Sequence, residues 1–286
     1  AVKAKSILKR KSQAILQKVF ALFVVNLLTA LISIANAQPW FTGALLAPDS
    51  EVLPVGKDNY QPYFYWTDYN TPGQDYQSVV PEMQFTIAMW QFMDLQIVVP
   101  YVFNFNHQQS ATAVGDITVA FQFQIVPSND DRWYPSVLFF ITEYFPSGRF
   151  SNFSPQRPLI DSTGQGSFRT DFGIVFMKTI GFFAHQYLRT TFSLCYILPG
   201  NVAVQGFNTY GGGFGTLGRI YPGNTFVADL AFEWSITPNW VPVMELYYLI
   251  QNAATFSGTA GTAPGGGLAA NGIPAQRQLS LAPAIE

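Results

Sequence analysis

Along most of this chain, residues of opposite character alternate one by one. From Asp94 to Asn106, Leu95, Ile97, Val99, Tyr101, Phe103 and Phe105 fall on one side. Asp94, Gln96, Val98, Pro100, Val102, Asn104 and Asn106 fall on the other. From Asp116 to Val126, Ile117, Val119, Phe121, Phe123 and Ile125 oppose Asp116, Thr118, Ala120, Gln122 and Gln124. Successive side chains of a strand point to opposite faces, so this period builds sheets with one apolar and one mixed polar face. Ten such segments run over roughly 60–69, 80–92, 94–106, 114–127, 134–146, 166–179, 182–198, 224–237, 240–251 and 277–286.

A soluble sandwich also alternates, and strand length separates the two cases. Soluble strands run about 5–6 residues, whereas tilted strands that span a bilayer need about 9–11. Most of the ten segments reach the longer figure. Backbone groups in lipid must all be paired, which leaves helices or closed barrels, and no stretch after residue 37 has the length and apolarity of a spanning helix. The expected fold is therefore all-β, an antiparallel transmembrane β-barrel.

The connections give an independent test, because membrane barrels alternate short periplasmic turns with longer outer loops. The links at Met93, Ser128–Trp133, Ile180-Gly181 and Thr237-Pro238-Asn239 are short. The intervening links, Asn70–Val79, His107–Ala113, Ser147–Gln165, Gly200–Gly223 and Asn252–Gln276, are long. This order places the tight turns and the start of the barrel in the periplasm. The glycine-rich runs Tyr210–Gly215 and Gly258–Gly267 read as flexible loops without a phosphate-binding lysine pattern.

The first 37 residues differ in kind. Lys3, Lys5, Lys9, Arg10, Lys11 and Lys18 precede an apolar run from Val19 to Ile34, and Ala35-Asn36-Ala37 supplies a small-residue cleavage site. This is the order of a secretory signal peptide, with its apolar core as a helix. The division expected is 1–37 signal peptide, 38–59 periplasmic N-terminal segment, and 60–286 barrel. Beyond residue 37 there remain nine cations against seventeen acids, a net charge of −8. That balance argues against nucleic acid as a partner. The 26 Phe, 14 Tyr and 6 Trp point instead to a surface that meets an apolar medium, so outer-membrane lipid is the expected partner. Trp66, Trp90, Trp133, Tyr134, Trp240 and Tyr248 belong either to interfacial girdles or to the lumen. The chain starts at Ala1 and stops at Glu286 within an alternating segment, from which about two further strands, twelve in all, are expected of the full-length protein.

If the apolar faces meet lipid, the opposite faces line the lumen. Glu82, Asp94, Asp116, Arg169, Asp171, Arg189, Asp229, Glu233 and Glu245 then point inward, where an ionisable group avoids the cost of facing lipid. Either Arg169 and Arg189 oppose the acids across a pore and set its selectivity, or they pair with acids such as Asp171 or Glu233 and hold the lumen together. The pairing account is the stronger of the two.

Enzyme chemistry finds little to work with. The two histidines, His107 in a loop and His185 beside a tight turn, have no neighbouring nucleophile motif and read as exposed polar residues. Two distant histidines and the single Cys195 lack metal-ligand spacing, and no cofactor is called for. Cys195 reads as a small buried or lipid-facing residue.

Pro39-Trp40-Phe41-Thr42-Gly43-Ala44-Leu45-Leu46-Ala47-Pro48, Gly115-Asp116, Gly206-Phe207-Asn208-Thr209-Tyr210-Gly211-Gly212-Gly213, Leu230-Ala231-Phe232-Glu233-Trp234 and Asn239-Trp240-Val241-Pro242-Val243-Met244-Glu245 occur in this order. In this set the chain resembles the bacterial outer-membrane family named after the MetA pathway of phenol degradation, over essentially all of it beyond residue 37. The resemblance implies a twelve-stranded barrel and uptake of hydrophobic or aromatic compounds, and it brings no catalytic motif. The expected function is a channel or passive transporter for a small-molecule solute. The alternative is an adhesion or structural barrel acting through its long outer loops. The oligomeric state is left open.

Overall fold

The alternating segments form strands. A computed structural model describes residues 41, 43–71, 74–129, 133–157, 160–181, 186–237 and 239–285. The signal peptide expected over 1–37 and His185 lie outside the described residues. The strands are β1 (Asp58–Thr71), β2 (Gln74–Trp90), β3 (Met93–Phe105), β4 (Ser110–Val114), β5 (Ile117–Val126), β6 (Ser136–Phe145) and β7 (Arg169–Gly181). They continue as β8 (Tyr187–Pro199), β9 (Val202–Gln205), β10 (Leu217–Tyr221), β11 (Thr225–Ser235), β12 (Pro242–Gln251), β13 (Thr255–Thr259) and β14 (Gln276–Ile285). Among the described residues there is no helix.

One curled antiparallel sheet runs β1-β2-β3-β5-β6-β7-β8-β11-β12-β14, with β4 paired to β3 beside this path. Its ten strands correspond one for one to the ten alternating segments. Among the described residues its edge strands, β1 and β14, are not paired with each other. Burial alternates as the period requires. On β11, Thr225, Val227, Asp229, Ala231, Glu233 and Ser235 are buried, while Phe226 and Phe232 are exposed. The buried residues of β11 face the concave side. The convex side carries exposed apolar residues such as Phe64, Phe121, Phe172, Phe232, Leu279 and Leu281.

The connections gather at two rims. At one lie the short links β2–β3, β5–β6, β7–β8 and β11–β12, with Trp90, Trp133 and Trp240 beside them and Trp133 90% exposed. At the other lie the long links, with three corrections to expectation. The link expected at Asn70–Val79 is instead hairpin, because β1 and β2 stay in register out to Thr71↔Gln74. Cross-strand stacking of Tyr69 on Tyr76, centroids 4.6 Å apart, supports that extension. Pro81 is accommodated within β2 at a gap in the β2–β3 pairing, between Val79↔Phe103 and Glu82↔Pro100, across which the register is kept.

The second correction concerns the long links 200–223 and 252–276, which the ten alternating segments leave out, while the glycine-rich stretches 210–215 and 260–267 within them stay outside the strands. These links contain β9, β10 and β13, which form a separate antiparallel sheet in the order β13-β10-β9. Val202, Val204, Tyr210 and Ile220 are its buried core, with Phe150 and Phe256 packed against them. Third, the link between β3 and β5 holds the short strand β4, which pairs Ser110–Val114 with Tyr101–Phe105.

Candidate functional site

The concave face is occupied from two directions. Residues 43–53, read from the sequence as part of a periplasmic lead-in, lie against its inner surface near the turn rim. This strap docks mainly through its backbone. The Leu45, Leu46 and Ala47 amides donate to the Glu245 carboxylate, with Leu46 N to Oε2 at 2.9 Å and Ala47 N to Oε2 at 3.3 Å. Further along, the Val52 amide donates to Gln124 at 3.0 Å, Gln124 Nε2 returns a bond to the Ser50 carbonyl at 2.8 Å, and the Leu53 amide donates to Asp94 at 2.7 Å. Val52 also packs against the buried cluster of Leu138, Phe140 and Val175. An extended segment away from any sheet must find partners for its amides, and here inward-facing acids and amides supply them.

From the other rim, the link between β6 and β7 folds inward. Asn104 donates to the Ile160 and Ser162 carbonyls at 3.0 and 2.7 Å. Asp116 accepts from the Gly148 amide at 3.1 Å, the Gln165 amide at 2.8 Å and Arg169 at 3.4 Å. The approach is close enough to require glycine. A Cβ on Gly164 would stand 2.3 Å from Asp116 Oδ1 and 2.8 Å from the Gly148 Cα. The link is held internally by Asp161, which pairs with Arg157 at 3.1 Å and accepts from the Ser154 amide at 3.0 Å. Behind it, Thr209 and Tyr210, between β9 and β10, donate to the Gly164 and Gln165 carbonyls at 2.8 and 2.9 Å. The small sheet thus braces the inward loop.

Between strap and loop lies a cavity of about 700 Å³. Leu46 and Pro48 of the strap and Ser162–Gln165 of the loop contribute to its lining. Glu82, Asp116, Arg169, Asp171 and Asp229 line it as well. The volume is that of a site for a small organic molecule, and the wall mixes valines and isoleucine with hydroxyls and charges.

The nine residues expected to face inward sit in different settings. Arg189 and Glu233, register partners on β8 and β11, form a buried bidentate pair, and Phe41 stacks on the guanidinium at 4.4 Å. Arg169 pairs with Asp116, not with Asp171 or Glu233, and lies 4.3 Å over the Tyr144 ring. The reason is depth: Arg169 opens β7 at the same rim where Asp116 precedes β5. Asp94 and Glu245 hold the strap. Glu82, Asp171 and Asp229 remain to the cavity. Cys195 is neither lipid-facing nor in a purely apolar setting. It lines the cavity together with Asp171. His107 is exposed in its link.

Several contributors gave no signal in the sequence. Asn104 and Gln124 read as ordinary polar positions of their strands, and Tyr247 as one aromatic among many. Only their phase, on the polar side of an alternating segment, pointed inward.

The fold is similar to that of an outer membrane channel from Pseudomonas putida F1, with a TM-score of 0.50 and 13% sequence identity, over 82% of this chain and 96% of that chain. No protein-family model matches the chain, and no curated protein matches it. At this identity the similarity establishes the shared fold. The resemblance to the family named for phenol degradation rests on the sequence motifs quoted above.

Proposed function

We propose that the protein is an outer-membrane channel that passes small apolar or aromatic solutes passively. The observation that carries this reading is the cavity of about 700 Å³ on the concave face of a sheet whose convex face is apolar. Apolar residues outward and charged residues inward is the arrangement that lipid on one side and a solute path on the other would select. The fold shared with an outer membrane channel, the basic-apolar leader with its small-residue cleavage site, and the tryptophans at the turn rim support the same assignment. In this reading the turn rim faces the periplasm and the braced loop faces outward. The solute class follows from the mixed wall of the cavity and from the family resemblance.

Strap and loop both line the cavity, so a solute that crosses it passes between them. Single-channel recording in planar bilayers, with liposome uptake of phenol or toluene, tests the proposal. Stepwise conductance and uptake are expected. A barrel that migrates as a compact species in unheated detergent gels yet stays electrically silent and impermeable would overturn it. That result would favour adhesion through the outer sheet β9-β10-β13.

A further inference from the structure

The acids of the concave face divide into those with donors and those without. Glu233 has Arg189, Glu245 has three strap amides, Asp94 has the Leu53 amide, and Asp116 has two amides and Arg169. Asp229 has none of these. It is 2% exposed, and among the described residues neither of its carboxylate oxygens has a hydrogen-bond partner. Asp171 is 5% exposed, and its Oδ1 is likewise unpartnered.

Both carboxylates line the same cavity. Among the described residues of its wall, Arg169 is the only cation, against Glu82, Asp116, Asp171 and Asp229, and Arg169 is engaged with Asp116. Buried carboxylates without donors are costly, and proteins retain them where a ligand or ion supplies the missing partner. Tyr247, the register partner of Asp229 on β12, lines the same cavity, which adds an aromatic ring suited to a cation. No group of three or more metal-ligating side chains exists among the described residues, so the donor set does not suit a chelated metal ion. Val98, Ile197 and Val227 give the same cavity apolar wall. A ligand that suits all of this carries N–H donors with positive charge at one end and an apolar body at the other.

We propose that the cavity is a receptor for organic ammonium ions, taking an aromatic or alkyl amine whose ammonium donates to Asp229 or to Asp171. This rests on the reading of the cavity as a solute path and narrows its solute class. The cation supplies the donors that the wall withholds, and Val227 and Ile197 take its apolar part.

The test is calorimetric titration of the refolded full chain in a nonionic detergent at neutral pH. Three probes of nearly equal size are compared: 2-phenylethylammonium, 2-phenylethanol and phenylacetate. The ammonium is expected to bind about tenfold or more tighter than the alcohol, the factor one charge-assisted hydrogen bond supplies. Phenylacetate is expected to bind weakest. The D229N/D171N double variant, scored only if it keeps compact migration in unheated gels, should bring ammonium and alcohol to parity. Equal binding of ammonium and alcohol by the wild-type chain, or no detectable ammonium binding, overturns the proposal without any variant. A preference that survives in the folded double variant overturns it too. Calorimetry reads binding without transport, so a silent barrel can still bind amines, and a conducting barrel can still fail this test.

Discussion

The Leu46 amide and the Glu245 carboxylate meet at 2.9 Å across 199 residues of sequence. Glu245 is fully buried, and the two neighbouring strap amides converge on it as well. One side chain of β12 therefore anchors the N-terminal strap. Glu245→Ala is expected to weaken that anchorage by about 1–3 kcal/mol, the range for hydrogen bonds to a charged group. This raises the released fraction by roughly tenfold. Limited proteolysis within 43–53 of the reconstituted protein reads the change, and single-channel conductance should rise with it. Unchanged cleavage would show that Gln124 and Asp94 suffice to hold the strap.

Arg189 and Glu233 are a buried pair whose members depend on each other. Removing one partner leaves a desolvated charge, so Arg189→Met or Glu233→Leu alone is expected to cost about 3–5 kcal/mol. The double substitution should recover most of that loss, since a well-packed apolar pair is often as stable as the ion pair it replaces. Urea unfolding of the protein refolded into liposomes measures all three variants. A double variant as unstable as the singles would mean that the pair does more than satisfy itself.

Gly164 is enclosed by Asp116 and Gly148. Gly164→Ala must push a methyl into that contact, at a cost of about 1–3 kcal/mol for overpacking. The inward loop should then leave its seat while the barrel stays intact. Increased cleavage of the 146–168 link by protease added to whole cells is the expected outcome. Gly148→Ala should act in the same direction, because its Cβ would stand 2.6 Å from the Thr163 carbonyl oxygen.

Phe121 and Gln122 are neighbours on β5 that face opposite ways. If the convex face meets lipid, Phe121→Lys places a charge there and is expected to cost about 2–4 kcal/mol near the midplane. Gln122→Lys points the same charge into the interior and should be tolerated far better. Unfolding in liposomes separates them. Equal costs would argue against lipid on the convex side.

The strands were legible because alternation repeats over many residues, and a face buried against the interior leaves that mark on every second position. Asp94, Asp116, Glu233 and Glu245 could be assigned inward on phase alone. Their partners were less accessible. Arg189 and Glu233 stood among the pairings considered, but Arg169 went to Asp116 because depth along the strand, not sequence proximity, decides who meets. The strap left almost no trace, since it binds through backbone amides that every residue but proline carries. The inward loop was hidden for a related reason. Its close fit depends on Gly148 and Gly164, which in a sequence look like the glycines of any surface link. The sheet β9-β10-β13 lies in stretches where turn residues outnumber the short apolar runs, and strands of four or five residues are too brief for a period to show.

The anchorage of the strap also bears on the order in which the molecule is made. Residues 45–47 find their acceptor on β12, about 200 residues later in the chain, and the Leu53 amide finds its own on β3 much sooner. Contacts of such long sequence separation form late and slowly, because the intervening chain must first be ordered. Docking of residues 45–47 on Glu245 therefore waits for the strands from β3 to β12 to be placed. A chain that fails to place β12 leaves these amides without their acceptor, so a docked strap doubles as a report that β12 has joined the wall.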